Sequence, residues 1–513
     1  MIKKYSGEWT DKQVKHLLRR TLFGITLEDE RFFTGKSLDE CLDILLMPTL
    51  TPAPPPYLDN DDADVPEGTT WVFGKQKPGA ENQRMLFLKS WIIGLMRDQR
   101  NISERMVLFW HNHFATEFNT VKDTRYNYQY FALIRQHATG NFKKLLEGMT
   151  INTQMLVYLN GNLNYKTNPN ENYAREVQEL FTLGKGPDSH YTEQDVKNAA
   201  KVLTGWKDDK EAISSYFDPE AHNTEDKMFS SFYNNYVIKG RSGADGAGET
   251  NELLEMICKQ AEVSRFLCRK LYRWFVSSNI DEQVEKNIIV PLAEIMVSAN
   301  YEVKDVLKAI LSSDFFYEPH LTGSIIKGPV DFAVELLRVF GITNPFVPEM
   351  RINAVLSTLT AAMGQNIGDP PAVAGWPAYY EFPLFDKEWI SSDKLFTRST
   401  MIKALCRKPS KADLENNFCL LLLEFVTQLS KPEDDRLLLI ETMDLIFCVP
   451  LGEGQVTYLL GLLNKSNNFT ESWNKLWLRY NAAKENAELA EEVRGRLRNT
   501  FQALLMFPEY QIR

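Results

Sequence analysis

Histidine side chains, which bind metal ions and transfer protons near neutral pH, are concentrated in one part of the sequence. Five of the seven histidines lie between residues 111 and 222. Apolar residues around the first two recur every three or four positions, which predicts a helix over residues 106–114. On this helix His113 lies within the apolar face, one turn before Glu117, whereas His111 is about 200° away around the axis. A hydrogen-bonded core histidine and a functional imidazole both fit this position of His113.

A second helix is predicted by the segment from Asn168 to Gly184. Asn168 suits the N-cap, Pro169 the first turn and Glu171 the acidic position of a capping box. Gly184 suits the end of a helix, where left-handed backbone is common. Capping therefore accounts for Glu171 without a catalytic role.

Glu176 lies on the same helix, at the edge of its apolar face. A carboxylate directed into a protein core must be ion-paired, metal-bound or protonated. Structural pairing with an arginine such as Arg175 or Arg135 is one interpretation. Metal binding or acid–base chemistry is the other.

His222 follows in the polar segment 218–227. Two imidazoles and one carboxylate form a common ligand set for a catalytic divalent metal, and His113, His222 and Glu176 make up such a set. In this hypothesis Glu176 acts as a ligand or a general base, and Arg175 holds an anion or makes a structural contact. A solvent-exposed loop histidine without a role is the alternative for His222.

Aromatic residues and prolines crowd the segment 364–398, which we call the aromatic segment. Rigid aromatic segments commonly line grooves for ligands or partner proteins, and Trp376 and Trp389 have the largest side chains here. The alternative is a loop that covers the helical core.

Helical periodicity dominates the sequence, and alternation of β-branched residues is scarce. This pattern predicts an all-α, multi-helix globular assembly with long irregular loops and little or no sheet. Four regions are expected: N-terminal helices at 1–50, a proline-rich and acidic loop at 51–80, a central helical core at 81–345 with a loop insertion at 207–250, and a C-terminal helical region at 346–513 that contains the aromatic segment.

Composition and charge argue against several classes of protein. The formal net charge is −10 and no run of lysine or arginine interrupts it, so a nucleic-acid partner is not expected. No apolar run reaches the roughly 20 residues that a membrane-spanning helix needs. The first residues are charged rather than apolar, which predicts a cytoplasmic location. The six cysteines are widely spaced, so neither a disulfide framework nor a structural zinc site is expected.

Several segments, taken in order, carry a resemblance to a known family: LLRRTLFG at 17–24, MVLFWHNHF at 106–114, LIRQHATGNFKKLL at 133–146, PNENYAREVQELFTLG at 169–184, YTEQDVKNAAKVLTGW at 191–206 and GQNIGDPPAVAGW at 364–376. Together they resemble the bacterial domain-of-unknown-function family 1800 (DUF1800). The resemblance implies an all-α fold without an assigned reaction. Members often carry export signals, which implies a periplasmic location as the alternative to the cytoplasm.

The resemblance also implies a partner and further site residues. Relatives are often encoded beside a second uncharacterised family that resembles sulfatases and alkaline phosphatases, which implies a protein partner of that kind. Mapped onto this sequence, the family pattern marks His111 and Arg175 as catalytic candidates. It marks Trp110, Trp376 and Arg398 as ligand- or partner-binding candidates, and the crowding of aromatic residues in the aromatic segment adds Trp389.

The chain departs from the family pattern near these candidates at Lys201, Asn223 and Glu225, and at 378–380, where glycines are usual. Lys201 replaces a usual arginine, and a lysine cannot form the bidentate hydrogen bonds to a carboxylate that an arginine forms. Asn223 and Glu225 replace an aspartate and a glycine. A site that used these positions would be altered in this chain.

Two functions follow as hypotheses. The first is a metal-assisted or carboxylate-dependent enzyme that hydrolyses or modifies an envelope polymer or peptide, a substrate class taken by analogy with the neighbours of relatives. The second is a non-catalytic helical scaffold that binds a partner protein through the aromatic segment. A divalent metal that is lost on replacement of His113 would favour the enzyme.

Overall fold

Helices account for 60% of the structure and strands for only 5%, so the prediction of an all-α fold is confirmed. The structure is a computed structural model and describes residues 2–48, 52–56, 62, 64–343, 349–408, 418–464 and 471–513. None of the helices in these ranges combines the length and apolar character needed to cross a membrane.

Three short helices form the N-terminal region: α1 (Asp11–Thr21), α2 (Leu27–Phe33) and α3 (Leu38–Leu45). Capping boxes begin the second and third. The side chains of Thr26 and Ser37 accept hydrogen bonds from the amides of Asp29 and Glu40, whose carboxylates accept in return from the cap amides. These reciprocal bonds satisfy amides that a helix start leaves without partners.

The central region contains the helices α4 (Glu81–Asp98), α5 (Ser103–His113), α6 (Phe118–Val121), α7 (Thr124–Gln136), α8 (Phe142–Thr150), α9 (Thr153–Tyr158), α10 (Glu171–Glu179), α11 (Glu193–Val202), α12 (Gly248–Cys258), α13 (Ala261–Phe275), α14 (Glu282–Val284), α15 (Val290–Ser298), α16 (Val303–Leu311) and α17 (Pro329–Phe340). A π-helical turn, Glu285–Ile289, joins α14 to α15. Thr192 and Asp195 form a capping box at the start of α11.

The start of α10 differs from the prediction, because Asn170 rather than Asn168 is its N-cap. The side chain of Asn164 accepts a hydrogen bond from the amide of Asn170 (2.9 Å) and so holds Asn170 in an extended conformation. The helix therefore begins at Glu171, which makes this residue the first of the helix and not a capping-box acid. Gly184 has the expected left-handed backbone (φ 76°), five residues beyond the end of the helix.

Three two-stranded antiparallel sheets are present in the described residues: β1 (Trp206–Asp209) with β2 (Ser214–Phe217), β3 (Lys227–Met228) with β4 (Val237–Ile238), and β5 (Ile342–Thr343) with β6 (Cys419–Leu420). The first two pairs give the 207–250 insertion a core of short hairpins. The insertion is therefore more regular than the loop that its composition predicted.

The C-terminal region contains the helices α18 (Glu349–Ala362), α19 (Ser392–Leu405), α20 (Leu422–Val426), α21 (Asp435–Ile446), α22 (Glu453–Asn464), α23 (Trp473–Ala482) and α24 (Ala487–Leu505). Helix α18 packs along α4, where Arg97 donates hydrogen bonds to Glu349 (2.5 Å) and Asn353 (3.1 Å). Buried apolar residues from α1 to α24 belong to one core. The boundaries of the four expected regions stay a prediction.

Candidate functional site

His111 is held in the interior by two hydrogen bonds. The amide of Gly368 donates to its Nε2 (2.9 Å), so Nδ1 carries the proton and lies 2.9 Å from the hydroxyl oxygen of Tyr130. That hydroxyl donates in turn to the carbonyl of Phe114 (2.7 Å). Burial, with a smaller contribution from Lys89, lowers the pKa of His111 to about 3. The neutral ring therefore joins α5 to the aromatic segment, and both of its nitrogens are in use.

His113 lies on the apolar face of α5, as predicted, but its partners are unexpected. Its Nε2 is 3.0 Å from the carbonyl oxygen of Phe181, and Lys270 donates to its Nδ1 (3.0 Å). Burial and the charge of Lys270 lower the pKa of His113 well below its usual value. Burial also lowers the pKa of Lys270, to about 7. The pair thus joins a neutral imidazole to an amine that loses its proton near neutral pH.

His222 is buried rather than exposed, and it faces a carboxylate on α12. Its Nδ1 lies 2.8 Å from the carbonyl oxygen of Thr204, and its Nε2 lies 3.2 Å from Oε1 of Glu249. The second oxygen of Glu249 accepts a hydrogen bond from Lys227 (2.5 Å). Burial would raise the pKa of Glu249, but His222 and Lys227 outweigh it and keep this pKa below its usual value. All three side chains are inaccessible to solvent, which indicates a structural cluster.

The proposed metal ligands do not come together. His113 contacts Phe181 and Lys270, whereas His222 contacts Thr204 and Glu249, and neither is hydrogen-bonded to Glu176. Within the described ranges, no group of three or more His, Cys, Asp or Glu side chains is placed to hold a metal ion.

Glu176 is half-buried, and both predicted arginine partners are engaged elsewhere. Arg175 forms ion pairs with Glu193 (2.7 Å) and Glu171 (3.2 Å) at the surface, and Arg135 is paired with Glu104 (2.6 Å) in the core. Oε2 of Glu176 is inaccessible and has no hydrogen-bond partner. Burial raises the pKa of Glu176, although Lys185 and Arg175 oppose the rise.

Glu176 is one of three carboxylates whose charges act on Tyr158. We call Glu117, Tyr158, Glu176 and Asp369 the Tyr158 cluster. The hydroxyl of Tyr158 at the end of α9 donates to Glu117 (3.2 Å). Burial raises the pKa of Tyr158, and the negative charges of Glu117, Glu176 and Asp369 raise it further. Three carboxylates from α10, from the turn before α6 and from the aromatic segment therefore act on one phenol.

Three contacts hold Gly368 and Asp369 of the aromatic segment against α4 and α6. The amide of Phe118 donates to the carbonyl of Gly368 (2.8 Å), and the amide of Asn119 donates to Asp369 (2.8 Å). Lys89 on α4 forms an ion pair with Asp369 (2.7 Å). The position of Asp369 is therefore determined by α4 and α6 together.

The four ligand- or partner-binding candidates lie in the interior. Trp376 is fully buried, and Asn112 accepts a hydrogen bond from its amide (2.9 Å). The indole of Trp110 donates to the carbonyl of Ala138 (2.9 Å). Trp389 and Arg398 are also buried. Trp376 therefore anchors the aromatic segment to α5, as in the interpretation of that segment as a covering loop.

A family model for proteins of unknown function, DUF1800, matches residues 16–512. The chain belongs to the DUF1800 family. All elements of the Tyr158 cluster lie within the matched residues. No curated protein and no solved structure matches this DUF1800 chain.

Several contact residues of this DUF1800 chain are absent from the sequence-based candidates, among them Tyr158, Glu249, Lys270 and Asp369. Each contacts a residue that lies far away in the sequence, so no local spacing joins the partners. One signal was available for Lys270, because Phe266 and Trp274 lie four residues before and after it. A lysine between such residues on a helix indicates a partly buried amine.

Proposed function

We propose that this protein is a carboxylate-dependent enzyme that uses Glu176 as its proton-transferring group. The supporting observation is the half-buried Glu176 carboxyl, whose inner oxygen lacks a hydrogen-bond partner. A carboxyl with a raised pKa is protonated in a larger fraction of molecules near neutral pH, which suits a general acid. The reaction class is hydrolysis or modification of an envelope polymer or peptide.

Glu117 is the candidate for the second catalytic carboxylate. Its oxygens accept hydrogen bonds from Thr120 (2.6 Å) and Tyr158 (3.2 Å), in contrast to the unpartnered oxygen of Glu176. Two carboxylates in different environments can divide the roles of acid and base. Glu176 would give a proton to the leaving group, and Glu117 would take one from the attacking water.

The first test measures the proton on Glu176 without a substrate. Carboxyl carbon NMR of protein labelled at glutamate is expected to show one signal that titrates above the usual range, about pH 4.3. This signal should be missing in Glu176→Gln and present in Glu179→Gln, a control on the same helix whose carboxylate is paired with Lys185. If every glutamate titrates in the usual range, the proposal fails.

The second test measures hydrolysis of purified envelope polymers and peptides. Loss of one acid–base group is expected to reduce turnover about 100- to 10,000-fold, so Glu176→Gln and Glu117→Gln should each be severely impaired. Glu179→Gln should retain activity. Metal analysis belongs to the same experiment, because stoichiometric metal that is lost in His113→Ala would favour the metal-assisted form of this proposal.

A partner-binding scaffold is the second candidate, and the surface of the aromatic segment favours it. The side chain of Phe382 is 81% exposed, and Tyr380 and Leu384 beside it are also exposed. Exposed aromatic and aliphatic groups of this kind serve as anchors in interfaces. A purified sulfatase- or phosphatase-like protein from the same genome should bind the native chain and bind Phe382→Ser weakly. Equal binding by both would contradict this role.

A further inference from the structure

A cavity of about 540 Å³ lies between α19 and the end of the chain, and none of the four residues of the Tyr158 cluster lines it. Its volume is in the range of clefts that hold drug-sized ligands, about 300–1,000 Å³. Its walls are mainly apolar and include Ile326, Ile390, Leu395, Ile402, Met506 and Ile512. Leu395 is partly exposed, which leaves the cavity open to solvent on the side of α19.

One buried cation, Arg398, lines this apolar cavity. Its two terminal nitrogens donate to Gln511 (2.8 Å) and to the carbonyl of Lys327 (2.7 Å), while its Nε is buried without a partner. Within the described ranges, no carboxylate forms an ion pair with it. The negative Asp331 nearby is already ion-paired with Arg105.

A buried guanidinium without a carboxylate is costly, and a ligand anion would remove this cost. Burial lowers the pKa of Arg398 to about 10, so the group still carries its charge at neutral pH. The cavity therefore offers a positive charge on one wall and apolar side chains on the others. The matching ligand has an anionic head and an aliphatic body.

We propose that this cavity binds a long-chain aliphatic carboxylate, with its head at Arg398 and its chain along the apolar wall. Glu509 also lines the cavity, and its inner oxygen has no partner. Like charges repel, so the ligand head lies away from Glu509, and Glu509→Gln is expected to tighten binding.

Calorimetric titration of the full-length protein with decanoate, dodecanoate and tetradecanoate, below their micelle concentrations, tests the proposal. One site per chain is expected, with affinity rising about fourfold per added methylene. Arg398→Gln should weaken dodecanoate about 10- to 100-fold, because it removes a hydrogen bond to a charged group. Dodecanol, which lacks the carboxylate, should bind the native protein and this variant equally.

Replacement of the buried Arg398 can prevent the protein from folding, so a second variant changes the cavity and leaves Arg398 in place. Ser399 lines this cavity, whereas Thr400 lines a different one on the other side of α19. Ser399→Phe should therefore abolish dodecanoate binding, and Thr400→Phe should leave it unchanged. Absence of saturable binding, or unchanged dodecanoate binding in Ser399→Phe, would overturn the proposal.

Discussion

Replacing Asp331 by asparagine removes the carboxylate of a buried ion pair while keeping the shape of the side chain. Asp331 is hydrogen-bonded to Arg105, which also donates to the carbonyl of Leu22. The guanidinium of Arg513 lies 3.6 Å from the same oxygen of Asp331, and the amide of Gly328 donates to the other one (3.2 Å). The substitution thus leaves two buried guanidiniums without their carboxylate.

The expected loss of unfolding free energy at pH 7 is about 3–5 kcal/mol, the usual effect of removing one partner from a buried pair. This is a large part of the roughly 5–15 kcal/mol by which proteins are stable. Burial lowers the pKa of Arg105 to about 10, so Arg105 is still charged at pH 7. The substitution therefore leaves a buried charge without its partner.

The effect should depend on pH in one direction. Burial would raise the pKa of Asp331, but Arg105 and Arg513 outweigh it and hold this pKa below its usual value. A depressed pKa stabilises the folded state above the pKa of the unfolded chain, about 3.9, and this stabilisation is lost as the pH falls through the folded value. The difference between native protein and Asp331→Asn should therefore shrink below about pH 4.

Urea unfolding followed by tryptophan fluorescence measures this difference, with each transition fitted separately if several occur. Glu471→Gln is the control, because Glu471 pairs with the largely exposed Arg479 (2.7 Å) and should change stability by less than about 1 kcal/mol. A loss at pH 7 no larger than that of the control would refute the reasoning. So would a difference that grows on acidification.

Further predictions concern other buried groups. Glu249→Gln leaves Lys227 buried without a carboxylate and should cost about 3–5 kcal/mol in urea unfolding, part of which a second change, Lys227→Met, restores. Trp376→Ala should cost about 3–5 kcal/mol, because a fully buried indole leaves a cavity; a loss below 1 kcal/mol would contradict its anchoring role. Lys270 has a pKa of about 7, so acetic anhydride at pH 7 should acetylate it before surface lysines, as peptide mass spectrometry can show. Labelling of Lys270 only above pH 9 would contradict this.

Local patterns were sufficient for the helices and for part of their capping. The all-α class follows from apolar spacing, and the left-handed backbone of Gly184 follows from a glycine placed after a helix. The prediction that His113 lies on an apolar helix face was likewise correct. Such features depend on contacts within one or two turns, so the sequence determines them without knowledge of the rest of the chain.

The tertiary structure alone decided which groups meet. His113 is hydrogen-bonded to Lys270, 157 residues away, and Glu176 is paired with neither of the arginines that the sequence suggested. Periodicity identifies a buried face but not the face packed against it, because that choice depends on contacts between distant helices. The sequence also left open which side chains of the aromatic segment are buried and which are exposed. Without periodicity to mark an inner face, only packing against α5 places Trp376 inside and leaves Phe382 exposed.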